Sequence, residues 1–323
     1  MTDWQPTASL ETLKTKARLL SKLRAFFADK DVLEVQTPVL SQAGNTTPAI
    51  ESFVIEQMSS LPPRYFLNTS PEFSMKRLIA AGYGSIYQIT PSFRYAEQGS
   101  KHNPEFTLLE WYRIGFDHHD LIKEVDELIR YVADGFISLE ATQSFSYQEA
   151  MQQFAGVNIH KATLAELSEA AEKAGVDVVG MEEASTDDWL DLLMSLVVEK
   201  NLPKNCPVFI YDYPANQAAL AKIKKGSPDV AERFEIYING IELANGFYEL
   251  TDAKEQRQRF EKEQRQRKEA EIMNIPLDEN FIAALEHGMP ECAGVALGID
   301  RLLMLLLGLE NIDEVLTFPF DRA

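Results

Sequence analysis

The chain has 323 residues, 45% of them hydrophobic and 25% charged, with a formal net charge of −19. That is a globular composition with ample material for a buried core. A chain this acidic repels a polyanion unless its basic residues cluster, so a large nucleic-acid footprint is disfavoured. The two cysteines, Cys206 and Cys292, are far apart and lack metal-ligand spacing, as expected of buried reduced thiols. The first twenty residues lack the apolar core of a signal peptide. The most apolar late stretch, 294–309, is interrupted by Asp300 and Arg301 and is too short to span a bilayer. The expected location is cytoplasmic, with no membrane partner.

In chain order, an amphipathic helix is predicted from about Leu10 to Ala28, with Leu13, Ala17, Leu20, Leu23 and Phe27 on its apolar face. Residues 32–39 read as a strand ended by Thr37–Pro38. Residues 84–95 alternate as a second strand, and Phe106–Ile114 as a third entered through Pro104. Residues 163–174 and 187–200 form a helix-rich block. Two strands follow within 232–250, joined by a turn at Asn239–Gly240. A long, highly charged helix covers 253–273. His118 and His119, after Asp117, read as a solvated helix start. Runs of strands with helices segregated between them argue for an α+β fold, a mostly antiparallel sheet flanked by helices. Neither a GxGxxG nor a GxxxxGK[ST] device is present, so a nucleotide would be held in some other way.

Three segments carry chemistry. Residues 29–40, DKDVLEVQTPVL, are a helix end and a strand stopped by Pro38, and alone they read as core structure. Residues 93–112, FRYAEQGSKHNPEFTLLEWY, form a hairpin: a strand ending in Arg94, a polar loop, and a strand whose period of two puts Phe106, Leu108, Glu110 and Tyr112 on one face. Arg94 offers a planar fork suited to phosphate, and a buried Glu beside a Tyr needs a partner such as an ammonium group. A structural Arg–Glu pair would satisfy the same pattern. Residues 288–303, GMPECAGVALGIDRLL, place Gly294 and Gly298 where backbone can approach a ligand, and Arg301 at the start of an apolar helix.

Together these segments resemble motifs 1, 2 and 3 of the class II aminoacyl-tRNA synthetases, and HNPEFTLLEW resembles motif 2 of the lysyl branch. The resemblance runs over the whole chain and implies one catalytic domain over 1–323. It implies that Arg94 contacts the α-phosphate of ATP and Arg301 the far end of the triphosphate. Phe106 would stack on adenine, with Glu97, His102 and Asn103 nearby, and Leu243 and Gly298 would also touch the nucleotide. Glu235 and Glu242 would hold Mg²⁺, Glu242 lying against the nucleotide too. For the amino acid, Ser70, Pro71 and Glu72 would take the end next to the reacting carboxylate, Glu72 holding the α-amino group. Glu110, Tyr112, Asn245 and Glu249 would line the pocket for the terminal ammonium, with Ala296 against it. Motif 1 implies a homodimer.

Three departures from the lysyl pattern matter. The motif 1 strand begins near residue 32, which leaves no room for an anticodon-binding barrel, so tRNA is a poor acceptor candidate. Motif 3 has Ala296 where a glycine is usual, and its methyl group should intrude on the amino-acid pocket and favour a differently shaped lysine isomer. The glutamate expected two places after Arg94 is Ala96; either Glu97 takes over at the adenine amino group or backbone does. These features resemble the elongation factor P lysine ligase family. The implied reaction activates lysine or (R)-β-lysine with ATP and passes it to a lysine ε-amine on elongation factor P. Two alternatives stand beside it: a stand-alone adenylate-forming enzyme that charges a tRNA-like RNA or makes dinucleoside polyphosphates, and a non-catalytic sensor of amino acid or ATP.

Overall fold

The computed structural model describes residues 4–56 and 64–323. In chain order the elements are α1 (Leu10–Asp29), β1 (Leu33–Glu34), β2 (Leu40–Ser41), β3 (Val54–Glu56), β4 (Arg64–Leu67), α2 (Glu72–Ala80), β5 (Ile86–Phe93) and β6 (Glu105–Ile114). Then come α3 (His118–Ala133), β7 (Gln143–Ser146), α4 (Tyr147–Ala150), α5 (Leu164–Lys173), α6 (Thr186–Leu193), α7 (Glu199–Asn201), β8 (Val208–Pro214), β9 (Ile223–Lys224), β10 (Val230–Ile238) and β11 (Ile241–Tyr248). The chain ends with α8 (Ala253–Glu269), α9 (Glu279–His287), β12 (Cys292–Gly298) and α10 (Ile299–Leu307). They fall into two compact units, Met1–Phe116 with Leu250–Ala323, and Asp117–Glu249.

The first unit is built on the strands β1, β5, β6 and β12. β1 runs parallel to β5, whereas β5–β6 and β6–β12 are antiparallel. Residues directly opposite across such pairs share a face. Gln88, Glu110 and Ala296 therefore form one row, and Ile86, Tyr112 and Gly294 the next on the same side. The opposite face is core: Tyr87 and Trp111 meet Phe27 of α1 at ring distances of 4.4 and 5.4 Å. Burying side chains of this size stabilises by roughly 2–3 kcal/mol each. A small antiparallel sheet of β2, β4 and β3 leads into α2.

Three predicted elements in this unit differ in detail. The strand expected over 32–39 pairs only at Leu33–Glu34, with the Val35 amide still donating to the Tyr87 carbonyl at 2.8 Å. Pro38 supplies no donor to prolong it. α1 covers the predicted residues, but its buried face is Thr12, Thr15, Leu19, Leu23, Phe26 and Phe27, while Ala17 is exposed. The face is rotated because Lys16 points inward to Asp300, 2.7 Å away, and Asp300 also accepts from the Thr107 amide at 2.6 Å.

α8 ends at Glu269 rather than 273, and three of its residues, Gln256, Phe260 and Arg267, are buried. Arg267 is fully buried and donates to the carbonyls of Met273 and Thr47 and to Glu51. Arg257 makes a two-pronged pair with Glu279, and Arg259 pairs with Glu255. Three of the helix's basic residues are thus engaged by the protein, while Lys254, Lys262, Arg265 and Lys268 remain exposed.

In the second unit, β11, β10 and β8 are antiparallel, and β7 joins β8 in parallel. The β10–β11 turn is the predicted Asn239–Gly240, both with positive φ, as a two-residue hairpin of this type requires. The predicted helix over 187–200 is present as α6 and α7 joined by a π-helical turn at Met194–Val198. It packs with α5 on a core of Tyr147, Leu167, Trp189, Leu193, Val208 and Ile210. A helix does start here, capped by Asp117, but His118 is buried rather than solvated, with Nε2 3.2 Å from Asp212.

Candidate active site

In the first unit, β6 aligns the predicted face. Glu110 is 2% exposed and accepts from the Ser70 hydroxyl at 2.6 Å and the Tyr112 hydroxyl at 2.7 Å. Ser70 in turn accepts from the Glu72 amide at 3.1 Å. Pro71, which lacks an amide proton, starts α2, and Glu72 occupies its first turn, where a carboxylate suits the helix dipole. Ser70 and Glu72 line a cleft with Ser41, Asn45, Asn68 and Asp278. Burial, and then the negative charge of Glu72, push the Glu110 carboxyl up to about 7. The group is therefore poised between a neutral acid and a carboxylate, and a ligand cation would pull it to the charged form.

One member of this cluster was missing from the sequence reading. Lys76 is fully buried and holds Glu72 at 2.5 Å, one helical turn away. The Glu72–Lys76 spacing of i, i+4 was a signal, but such pairs are usually solvated. With Glu110 neutral, Lys76 balances Glu72. With Glu110 ionised, the cluster carries one surplus negative charge, which matches one ammonium group of a ligand.

The nucleotide-type residues lie in the same unit. The Arg94 guanidinium stands over the Phe106 ring at 5.1 Å and 3.6 Å from Glu97. Its Nε is buried with no hydrogen-bond partner among the described residues, a donor awaiting an anion. Ala96 adopts positive φ, and the loop then brings Glu97, not residue 96, to Arg94. Arg301 donates to His102 Nε2 and to the Lys101 carbonyl. Because an arginine can only donate, His102 must accept through a neutral ring. Burial and the Arg301 charge hold its pKa below the usual value. Asn103 is buried, and its amide is tied at both ends, to the Glu105 carbonyl and the Phe320 amide, so it shapes the loop. Gly298 is the N-cap of α10 and makes no side-chain capping bond.

The second unit carries the remaining predicted residues on the β10–β11 hairpin. Glu235 lies opposite Asn245, and Tyr237 opposite Glu242, so the two carboxylates face the same side. Glu235 is buried and accepts from the Tyr213 and Tyr237 hydroxyls, Arg233 and Asn245. Arg233, unforeseen from the sequence, also bonds Asn245 and stacks over Tyr213. An all-oxygen pair of carboxylates suits Mg²⁺, with the half-buried Glu242 less enclosed than Glu235, which would have to share its oxygens. Leu243 is buried, and Glu249 is 1% exposed at the end of the hairpin.

A family model described as tRNA synthetases class II (D, K and N) matches residues 1–322. Among curated proteins, the chain is 48% identical to an elongation factor P--(R)-beta-lysine ligase of Vibrio parahaemolyticus, covering 100% of this chain and 99% of the relative. It is also 48% identical to proteins of the same name from Vibrio cholerae, over 99% of each chain, and Proteus mirabilis, over 99% of this chain and 98% of the relative. The α+β architecture, the motif 2 hairpin and the motif 3 strand and helix agree with that match, and the chain belongs to the class II tRNA synthetases of the D, K and N group.

Proposed function

We propose that this protein is an ATP-dependent ligase that activates (R)-β-lysine, or lysine, as an adenylate and transfers it to the ε-amine of a lysine on elongation factor P. The observation that carries this reading is the buried cluster of Ser70, Glu72, Lys76, Glu110 and Tyr112. It presents a carboxylate poised to ionise for a cation, on the same strand as Phe106 and next to the strand leading to Arg94. The relatives that match over nearly their whole length bear that ligase name, which supports the acceptor. The family match runs through both units, and we read the chain as one catalytic domain.

In the first step an oxygen of the substrate carboxylate attacks the α-phosphorus of ATP, and the bond to pyrophosphate breaks. Arg94 neutralises charge on the phosphoryl oxygens, and Arg301, with its partner His102, binds the far end of the triphosphate. Phe106 supports the adenine ring. Glu235 and Glu242 would hold Mg²⁺, which screens the phosphate charge when bound. Glu72 takes the amino group near the reacting carboxylate, and Glu110 and Tyr112 take the terminal ammonium; the motif resemblance assigns Asn245 and Glu249 to the same ammonium. In the second step the acceptor amine attacks the activated carbonyl, AMP leaves, and an amide remains. That amine has a reference pKa of about 10.4 and must lose a proton before attack.

Each lysine isomer should be incubated with ATP, Mg²⁺ and elongation factor P, and the acceptor's mass followed. Gain of one lysyl residue on the protein is expected. Label arriving on tRNA instead would favour the RNA-charging reading, and no ATP–pyrophosphate exchange with any isomer would favour a sensor. We also read the motif 1 region as an interface with a second copy. The exposed Leu33 and Leu40 support this, and light scattering would test it.

A further inference from the structure

The second unit holds a group of side chains with no part in the ligase chemistry. His118 and His119 open α3, and Asp212 lies on β8. One donor atom from each lies within 4.8 Å of the others. His118 Nε2 is 3.2 Å from the Asp212 carboxylate, and the two imidazole rings are 4.0 Å apart at a tilt of 34°. Two ligand atoms around a tetrahedral zinc ion stand about 3.4 Å apart, so the His118–Asp212 spacing already suits an ion between them.

Two further features single this group out from an ordinary histidine–carboxylate pair. His118 is 2% exposed, and its Nδ1 is buried with no hydrogen-bond partner among the described residues. An ion on Nε2 would fix the ring proton on Nδ1, so the case for an ion rests on the spacing of the three donors. Asp212 also has a positive φ, opposite the irregular Glu232–Arg233 step of β10, where Ala231 pairs with Tyr213 but Phe234 with Tyr211. Such bulges re-aim a side chain out of the regular ladder, and here the carboxylate meets His118. Lys222 and Lys224 contribute opposing positive charge nearby, and Glu232 contributes negative charge.

We propose that His118, His119 and Asp212 form a binding site for one divalent transition-metal ion of the zinc type. Two imidazoles and one carboxylate are borderline donors, suited to zinc, cobalt or nickel and ill-suited to magnesium. Asp117 at the N-cap and Asp120 in the first turn of α3 offset the helix dipole that would otherwise oppose a cation there. The exposed His119 leaves the remaining positions of the ion to water. An ion so held ties the first turn of α3 to β8.

The test is titration of the metal-stripped full chain with cobalt(II), in excess Mg²⁺, read by visible absorption and calorimetry. One saturable equivalent per chain is expected, with a spectrum of nitrogen and oxygen ligation and no thiolate charge-transfer band. His119→Ala changes an exposed side chain, and Asp212→Asn keeps a residue that tolerates positive φ, so both should fold, as circular dichroism would check. Each should lose saturable binding, whereas Glu242→Gln should retain it. Absence of saturable binding to the wild-type chain overturns the site. So does binding that survives in His119→Ala and Asp212→Asn, or that disappears in Glu242→Gln.

Discussion

Ala296 on β12 stands directly across the sheet from Glu110 on β6, so the methyl group and the carboxylate share one face. Ala296 is half-buried while Glu110 is almost fully enclosed. The residue that departs from the usual lysyl motif 3 is thus the cross-strand neighbour of the acid we assign to the ligand ammonium. Replacing it with glycine opens space at that acid without touching a hydrogen bond of the cluster. Ala296→Gly should shift preference toward α-lysine by roughly 10- to 100-fold in kcat/KM, the scale of one to three kcal/mol for such pocket changes. ATP–pyrophosphate exchange with α-lysine and (R)-β-lysine measures it, and an unchanged isomer ratio counts against the steric argument.

Glu110 predicts a pH dependence with a definite sign. Its carboxyl is raised to about 7, chiefly by burial and then by Glu72. Below that pH it is protonated in the free protein and must release its proton to pair with an ammonium. Affinity for the lysine-type substrate should therefore rise with pH up to about 7 and then level off, with proton release on binding, while ATP affinity changes less. The same shift bears on stability. A carboxyl whose folded pKa lies above its unfolded value loses stability as pH climbs from the unfolded to the folded value. Glu110→Gln should therefore raise the melting temperature of the ligand-free protein at pH 8 and change it little at pH 4. Equal shifts at both values would exclude this account.

Lys76 tests the charge balance from the other side. It is fully buried on Glu72, and it also holds Glu110 toward its ionised form. Lys76→Met keeps most of the volume but leaves Glu72 without its close cation. Breaking a buried pair from one side costs about 3–5 kcal/mol, so chemical denaturation should show a loss of that order. The pH at which substrate affinity levels off should also move upward, because Glu110 becomes harder to ionise. A merely structural lysine would lower stability and leave that profile where it was.

Much of the candidate site's local geometry was legible because the information is local. A period of two on β6 placed Phe106, Leu108, Glu110 and Tyr112 together, and Asn239–Gly240 announced its own hairpin turn. What escaped depends on partners remote in sequence. The buried face of α1 is set by Lys16 reaching Asp300. Arg267, in a run of charges that reads as solvated, is buried by the carbonyls of Thr47 and Met273. His118 looks like an exposed helix start until the backbone of Asp212 turns a carboxylate toward it. Periodicity cannot report such pairings, because each joins a side chain that looks polar and exposed to an element it does not neighbour along the chain.

A substitution at Glu249 tests whether amino-acid binding can be separated from nucleotide binding. Glu249 is 1% exposed at the close of the β10–β11 hairpin, where its backbone bridges to Ala221. From the motif resemblance we assign it to the terminal ammonium of the substrate, a charge that lowers the cost of burying a carboxylate. Glu249→Gln keeps the shape and removes the charge. It should raise KM for the lysine-type substrate by about 10- to 100-fold, the loss of roughly 1.5–3 kcal/mol expected for a hydrogen bond to a charged group. KM for ATP should change less than about threefold, since no triphosphate contact is removed. Exchange kinetics with each substrate varied in turn would measure both. Equal losses for the two would take Glu249 out of the ammonium pocket and make it a scaffold residue.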